Sequence, residues 1–113
     1  MQRQNRLGPN RQFSYVYRRG KRVSTRDLTL LYVKNRQKRV GFSVSKKVGV
    51  AVVRNRTRRR IKEAYRIHEG AFLPGYDIVV VARVRAAHSR YRELERSLLS
   101  LADKLGLLRK EGA

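Results

Sequence analysis

A dense run of cations is the part of this sequence whose side chains are best suited to chemistry. Positions 54 to 62 carry six cations and no anion. Like charges one turn apart repel each other and weaken a helix by roughly a few tenths of a kcal/mol per pair. A sequence that keeps such repulsion indicates a polyanionic partner whose phosphates relieve it. The simpler alternative is a solvated helix face, although such a face normally mixes both signs.

A helix predicted over 54–68 separates these cations from an apolar side. The side expected to be buried consists of Thr57, Ile61, Ala64, Tyr65 and His68. A neighbouring stripe carries cations one turn apart, with two further polar residues beside them: Arg54, Arg58, Lys62 and Arg66, then Asn55 and Arg59. Arg56 and Arg60 flank the apolar side from the other direction. The helix is therefore predicted to bury one side and to present the rest to phosphates.

The sequence indicates no catalytic centre formed by the protein itself. Enzymes that hydrolyse phosphodiesters commonly hold divalent metals with clustered carboxylates. Of the eight acids, only Asp27 precedes the basic helix, and Asp77 starts a predicted strand, where a turn or cap role is preferred. His68 is expected to be packed or locally bonded, and His88 to serve a loop or cap. We therefore predict no catalytic and no metal-binding residue.

Length and charge restrict the class of protein. The chain has 113 residues, enough for one domain, and a net charge of +21. Residues 1–62 hold 20 Lys and Arg against one acid, whereas residues 63–113 hold 9 against 7. Such a field attracts polyanions and retains them by counterion release, which makes nucleic acid the preferred partner. No apolar run is long enough for a membrane span, no secretion signal is present, and the absence of cysteine agrees with a cytoplasmic location.

The predicted elements alternate between helices and strands. A first helix starts near Pro9 and stops before Gly20, and strands are expected over 28–33, 40–45 and 76–83. The basic helix covers 54–68, and a leucine-striped helix covers 91–105 with Gly106 as its stop. The order α-β-β-α-β-α predicts an α+β fold, with one sheet and helices mainly on one of its faces. We expect a single domain over 1–113, with flexible tails at 1–7 and 107–113.

Two aromatic residues on the first helix offer a different kind of site. Phe13 and Tyr17 are four residues apart, so both can project from one helix face. Stacking of an unpaired base on such a ring contributes about 1–3 kcal/mol to the binding free energy. The alternative is that both rings belong to the hydrophobic core.

The segment VSKKVG at 44–49, followed by AVVRNRTRRRIKEAYR at 51–66, closely resembles the signature of the bacterial ribonuclease P protein subunit. Supporting matches are Arg6-Leu7, Phe13 with Tyr17, the YDIVVVA strand at 76–82 and the closing leucine helix. The resemblance implies an α-β sandwich with a left-handed βαβ crossover, like a domain of ribosomal proteins. It overrides the general preference for right-handed crossovers, which holds in about 98% of cases.

The resemblance also implies a function. The protein would assist ribonuclease P RNA, a catalytic RNA that with bound Mg²⁺ removes the 5′ leader of precursor tRNA. The residues implied to lie against RNA are Arg54, Asn55, Arg56, Arg58, Arg59 and Lys62, with Lys46 and Lys47 as the family's basic pair. The cleft implied for the single-stranded leader has Phe13 and Tyr17 on the first helix. Where some members carry a tyrosine in this cleft, the chain has Leu31, and Tyr32 is expected on the other face.

Other RNA- and DNA-binding classes remain as alternatives. A non-enzymatic RNA-binding protein, such as a small ribosomal protein, would share the charge, the size and the fold. An independent metal nuclease would need carboxylates that this sequence lacks. A DNA-binding architectural protein is disfavoured because nothing indicates a dimer or a recognition helix for the major groove. We therefore expect RNA partners and neither DNA nor membrane.

Overall fold

A computed structural model describes residue 7 and residues 10–110. Its helices are α1 (Asn10–Arg19), α2 (Ala51–His68) and α3 (Tyr91–Lys104). Its strands are β1 (Lys21–Ser24), β2 (Leu28–Lys34), β3 (Arg39–Ser43) and β4 (Tyr76–Ala82). The predicted α+β class and element order are confirmed, and β1 is an additional strand that the sequence analysis did not predict. No helix within these residues is long and apolar enough to cross a membrane.

The four strands form one mixed sheet in the order β1-β2-β4-β3. β2 runs antiparallel to both β1 and β4, whereas β3 and β4 are parallel and joined through α2. The predicted crossover unit of strand, basic helix and strand is therefore present, and its handedness stays a prediction. β4 is buried from Asp77 to Val80, as expected for an apolar strand that is covered on both faces.

The larger core lies between the sheet and the pair α2 and α3. Helix α2 buries Thr57, Ile61, Ala64 and Tyr65, as predicted, and α3 buries Leu94, Leu98 and Leu101. Tyr65 also packs at its ring edges against Phe42 and Phe72, with centroid distances of 6.0 and 4.9 Å. This core fixes the orientation of α2, so that its remaining sides point away from the sheet.

A smaller core lies on the opposite face of the sheet, under α1. Its buried members are Leu7, Val16, Leu31 and Val79. The Leu7 N–H donates a 2.9 Å hydrogen bond to the Val40 carbonyl of β3. Leu7 was predicted to belong to a flexible tail; that boundary is wrong at this residue, and the rest of the 1–7 tail lies outside the described residues.

The residues that follow α3 show that the predicted start of the C-terminal tail at residue 107 is also wrong. Gly106 adopts a positive φ of 73°. The N–H groups of Gly106 and Leu107 donate to the carbonyls of Asp103 and Ala102, the paired bonds of a Schellman motif. Leu107 is fully buried and Leu108 forms a bridge with Phe72. Residues 107 and 108 therefore belong to the fold, and residues 111–113 lie outside the described part.

Helix α2 begins three residues earlier than the predicted start at Arg54. The prediction excluded the β-branched residues Val52 and Val53, which lower helix propensity. Tertiary packing reverses this preference, because Val53 packs against the larger core. The Arg54 N–H donates to the Val50 carbonyl at 2.9 Å, which places Arg54 inside the first turn.

Candidate nucleic-acid interface

The basic surface of α2 consists of the cations and the asparagine at positions 54 to 62. Asn55, Arg56 and Arg59 are exposed, and Arg54, Arg58, Arg60 and Lys62 are half-buried. Within the described part of the chain, no carboxylate lies at ion-pair distance from any of these cations. The surface therefore carries uncompensated positive charge, which anionic oxygens of a ligand can neutralise.

Local contacts hold part of this surface in place. Arg58 donates through Nη1 to Asn55 Oδ1 at 3.4 Å, and Arg60 donates through Nη1 to the Ser89 carbonyl at 3.3 Å. The Arg54 Nε is buried and has no hydrogen-bond partner among the described residues. A buried hydrogen-bond donor without an acceptor lowers the stability of the folded protein, so binding of a ligand that supplies an acceptor is favoured at Arg54.

Lys46 and Lys47 lie in a 3₁₀ turn, Lys46–Val48, that packs against the start of α2. Both side chains are exposed, whereas Val48 is buried and anchors the turn. The structure thus brings the predicted basic pair next to the N-terminal end of the basic surface.

Two acids beside these elements contact neighbouring side chains. Glu63 accepts two bonds from Arg66, at 3.0 and 2.6 Å, and Glu95 lies 2.9 Å from His68 Nε2. The bonds from Arg66 lower the pKa of the exposed Glu63 carboxyl. His68, expected to be packed or locally bonded, is half-buried and bonded to a residue 27 positions away. In residues 7 and 10–110, no three acids or histidines come close enough together to hold a metal ion.

Asp77 has a different role from the one predicted. Instead of a turn or cap, it forms a buried ion pair across the parallel strands, accepting two bonds from Arg39 at 2.8 and 2.7 Å. Hydrogen bonding to the Asp77 carboxylate raises the pKa of Arg39. The partners are separated by 38 residues, so sequence reasoning had no local signal for the pair.

The residues predicted for the leader cleft, which we call the aromatic cleft, lie together on the α1 side of the sheet: Phe13, Tyr17 and Leu31. Phe13 and Tyr17 are half-buried and pack against the smaller core, and Leu31 is only 1% exposed. Tyr32 points to the other face, as predicted, where its ring meets Tyr76 edge-on at 5.3 Å. Each ring packs on the core and keeps an accessible side, so the core interpretation is confirmed in part and the stacking role stays a prediction.

Gly41 of β3 forms the part of the sheet that lies against the Phe13 ring. A Cβ atom at Gly41 would lie 2.4 Å from Phe13 Cζ and 3.2 Å from Leu7 Cβ. Such contacts are far shorter than van der Waals separations. The absence of a side chain at this position therefore allows Phe13 to approach the sheet.

A basic rim beside α1 was missed by the sequence analysis. Three side chains of α1 face the end of β2 across an open groove of about 510 Å³: Arg11, Tyr15 and Arg18. Lys34 lines the same groove, whereas Arg39 is engaged by Asp77. The i, i+4, i+7 spacing of Arg11, Tyr15 and Arg18 was an available signal, because it places all three on one helix face.

Known proteins of one family match this chain over nearly its whole length. Residues 1–106 match the family model described as Ribonuclease P. A ribonuclease P protein component of Alkaliphilus metalliredigens is 42% identical over 110 residues, covering 96% of this chain and 99% of that protein. One from Clostridium botulinum is 44% identical over 108 residues, covering 93% and 97%.

The fold of a solved member agrees with the described architecture. The RNase P protein of Staphylococcus aureus superimposes with a TM-score of 0.84 at 30% identity, covering 93% of this chain and 98% of that one. The chain belongs to the ribonuclease P protein family.

Proposed function

We propose that this chain, as the protein component of ribonuclease P, uses its two surfaces for two different RNAs. The basic surface of α2, with Lys46 and Lys47, binds ribonuclease P RNA. The aromatic cleft binds the single-stranded 5′ leader of precursor tRNA. The particle then removes the leader by endonucleolytic cleavage and leaves the mature 5′ end of the tRNA. The absence of cysteine is compatible with work in the reducing cytoplasm.

One observation supports this division of roles best: the cleft lies on the α1 face of the sheet, whereas α2 packs on the opposite face. The two surfaces also differ in chemistry. Guanidinium groups without counter-charges bind phosphates of any sequence, with affinity that falls as salt rises. Half-buried rings instead favour bases that are free to unstack, which a leader offers and a duplex does not.

Mg²⁺ is proposed to be held mainly by the RNA. Four carboxylates of the described part are already engaged: Asp77 by Arg39, Glu63 by Arg66, Glu95 by His68, and Asp27 by Arg85 at 3.6 Å. This dispersed arrangement does not fit a Mg²⁺ site on the protein, which needs carboxylate oxygens that converge. The contribution of the protein is then to neutralise phosphates and to position the leader.

Reconstitution tests the proposed function. Precursor tRNA would be incubated with a bacterial ribonuclease P RNA at low Mg²⁺, with and without this protein. We expect faster cleavage and release of the 5′ leader when the protein is present, because its cations replace part of the charge neutralisation that Mg²⁺ otherwise supplies. A non-enzymatic RNA-binding protein of ribosomal type would bind RNA but leave the cleavage rate unchanged, and that outcome would reject the proposal.

A further inference from the structure

A groove between α2 and the start of α3 borders the basic surface of α2 and extends it to Arg66 and Tyr91. It has a volume of about 750 Å³ and is lined mainly by Arg56, Arg59, Arg60, Lys62, Arg66 and Tyr91. We call it the α2–α3 groove. Its volume falls within the range of about 300–1,000 Å³ that is typical of sites for small molecules. A single nucleotide fits such a space, whereas a paired duplex does not enter it.

The charge of the groove is suited to a phosphate. Five cations line it against the single acid Glu63, and the two bonds between Glu63 and Arg66 pair these two residues. Arg56, Arg59, Arg60 and Lys62 have no carboxylate partner in the described part of the chain. The bond from Arg60 to the Ser89 carbonyl holds one of these guanidinium groups across the groove, toward the segment that precedes α3.

Tyr91 adds a half-buried aromatic ring to the cations of the groove. Its side chain is half-buried and packs against the larger core while lining the groove. Its hydroxyl oxygen is buried beside the Glu95 carboxylate, but the two groups do not form a hydrogen bond of good geometry. A buried tyrosine hydroxyl usually has a well-formed partner. A base that enters the groove can supply one, at the cost of the weak interaction with Glu95.

We propose that the α2–α3 groove holds one unpaired nucleotide of the catalytic RNA, with its phosphate on the cations and its base against Tyr91. The inference rests on the proposed function, since it takes that RNA as the partner. The leader is the less suitable RNA, because the aromatic cleft that receives it lies on the other face of the sheet. The proposal adds Arg66 and Tyr91 to the RNA-binding residues and gives Arg60 a defined ligand.

A double-mutant cycle on the full-length protein tests whether Arg59 and Tyr91 share one ligand. The measured quantity is the affinity for bacterial ribonuclease P RNA alone. Tyr91→Phe removes only the hydroxyl and is expected to weaken binding about two- to tenfold, the range of one net hydrogen bond. Arg59→Gln is expected to weaken binding about ten- to 150-fold, as for a charged hydrogen bond. Residues that contact one ligand couple, so the double variant should lose about threefold less than the product of the single effects.

Two matched controls keep the test specific to the groove. Arg92→Gln removes the same charge from an exposed position of α3 that does not line the groove. It should change the affinity for ribonuclease P RNA less than about twofold, because an exposed charge outside the interface contributes little. Arg58→Gln removes a cation on the other flank of α2, and its effect should multiply with that of Tyr91→Phe. Thermal unfolding of each variant should show that the fold is retained.

A photoreactive benzoylphenylalanine in place of Tyr91 identifies the RNA. Cross-links to one unpaired position of the catalytic RNA are expected in the assembled particle. Cross-links to the leader, or a Tyr91→Phe affinity equal to that of the unaltered protein, would overturn the proposal. If the unaltered protein neither binds the catalytic RNA nor raises cleavage, the proposed function fails instead, so the two failures are distinguishable.

Discussion

The aromatic cleft and the basic surface of α2 differ in what gives them their properties. The cleft depends on packing: Phe13 and Tyr17 are held by the smaller core, and Gly41 leaves room for the Phe13 ring. The basic surface depends on charge that no described carboxylate balances. Shape can distinguish a single strand from a duplex, whereas charge recognises any phosphate backbone. From this difference we expect that selectivity for the leader and overall RNA affinity can be changed separately in this protein.

The largest effect on the preference for precursor over mature tRNA is expected from Phe13→Ala. Loss of a stacking ring costs about 1–3 kcal/mol, so binding of precursor tRNA by the particle should weaken roughly five- to 150-fold. Binding of mature tRNA should change little, because it has no leader. Ser14→Ala, at an exposed position of α1, is the control. Equal losses for precursor and mature tRNA would show that the cleft does not select the leader.

Gly41→Ala is expected to have the next largest effect, through the same ring. The added methyl group would lie 2.4 Å from Phe13 Cζ and must displace the ring or the strand. Overpacking of this kind costs about 1–3 kcal/mol, so both the thermal stability and the preference for precursor over mature tRNA should fall. The preference is measured as the ratio of the two dissociation constants. An unchanged ratio together with unchanged stability would mean that Phe13 tolerates the methyl group without moving.

Arg58→Ala should have a smaller effect, and one of a different kind. Removing one phosphate contact should weaken binding of ribonuclease P RNA about three- to tenfold at low salt, and the assembled particle should keep its ratio of precursor to mature tRNA binding. The slope of log affinity for ribonuclease P RNA against log salt should fall by about 1. Arg92→Ala is the matched control on α3. A loss confined to precursor tRNA would assign Arg58 to the leader and remove the separation between the two surfaces.

Local pattern was sufficient to predict much of the fold. The spacing of Thr57, Ile61 and Ala64 predicted the buried side of α2. The apolar run at 78–82 predicted a strand covered on both faces, and all of it but Val81 is buried. The alternation rule also placed Leu31 and Tyr32 on opposite faces of the sheet. These features are set by the period of each element, which the sequence displays directly.

Features that depend on distant pairing could not be predicted in the same way. β1 contains one apolar residue, Val23, and is stabilised by its pairing with β2. The bond between Arg39 and Asp77 joins two strands, and the α2–α3 groove combines Arg60 with Tyr91. In each case the partner is chosen by the tertiary fold, so neither segment alone carries the signal.

The hydrogen bond between the Leu7 N–H and the Val40 carbonyl has a consequence for solubility. β3 is an outer strand of the sheet, and exposed outer strands can pair with those of other molecules. Leu7 lies on β3 and occupies a main-chain acceptor there. The opposite outer strand, β1, carries the exposed charges of Lys21 and Arg22. Both outer strands are thus protected against pairing with other molecules. A chain shortened past Leu7 would lose the protection of β3.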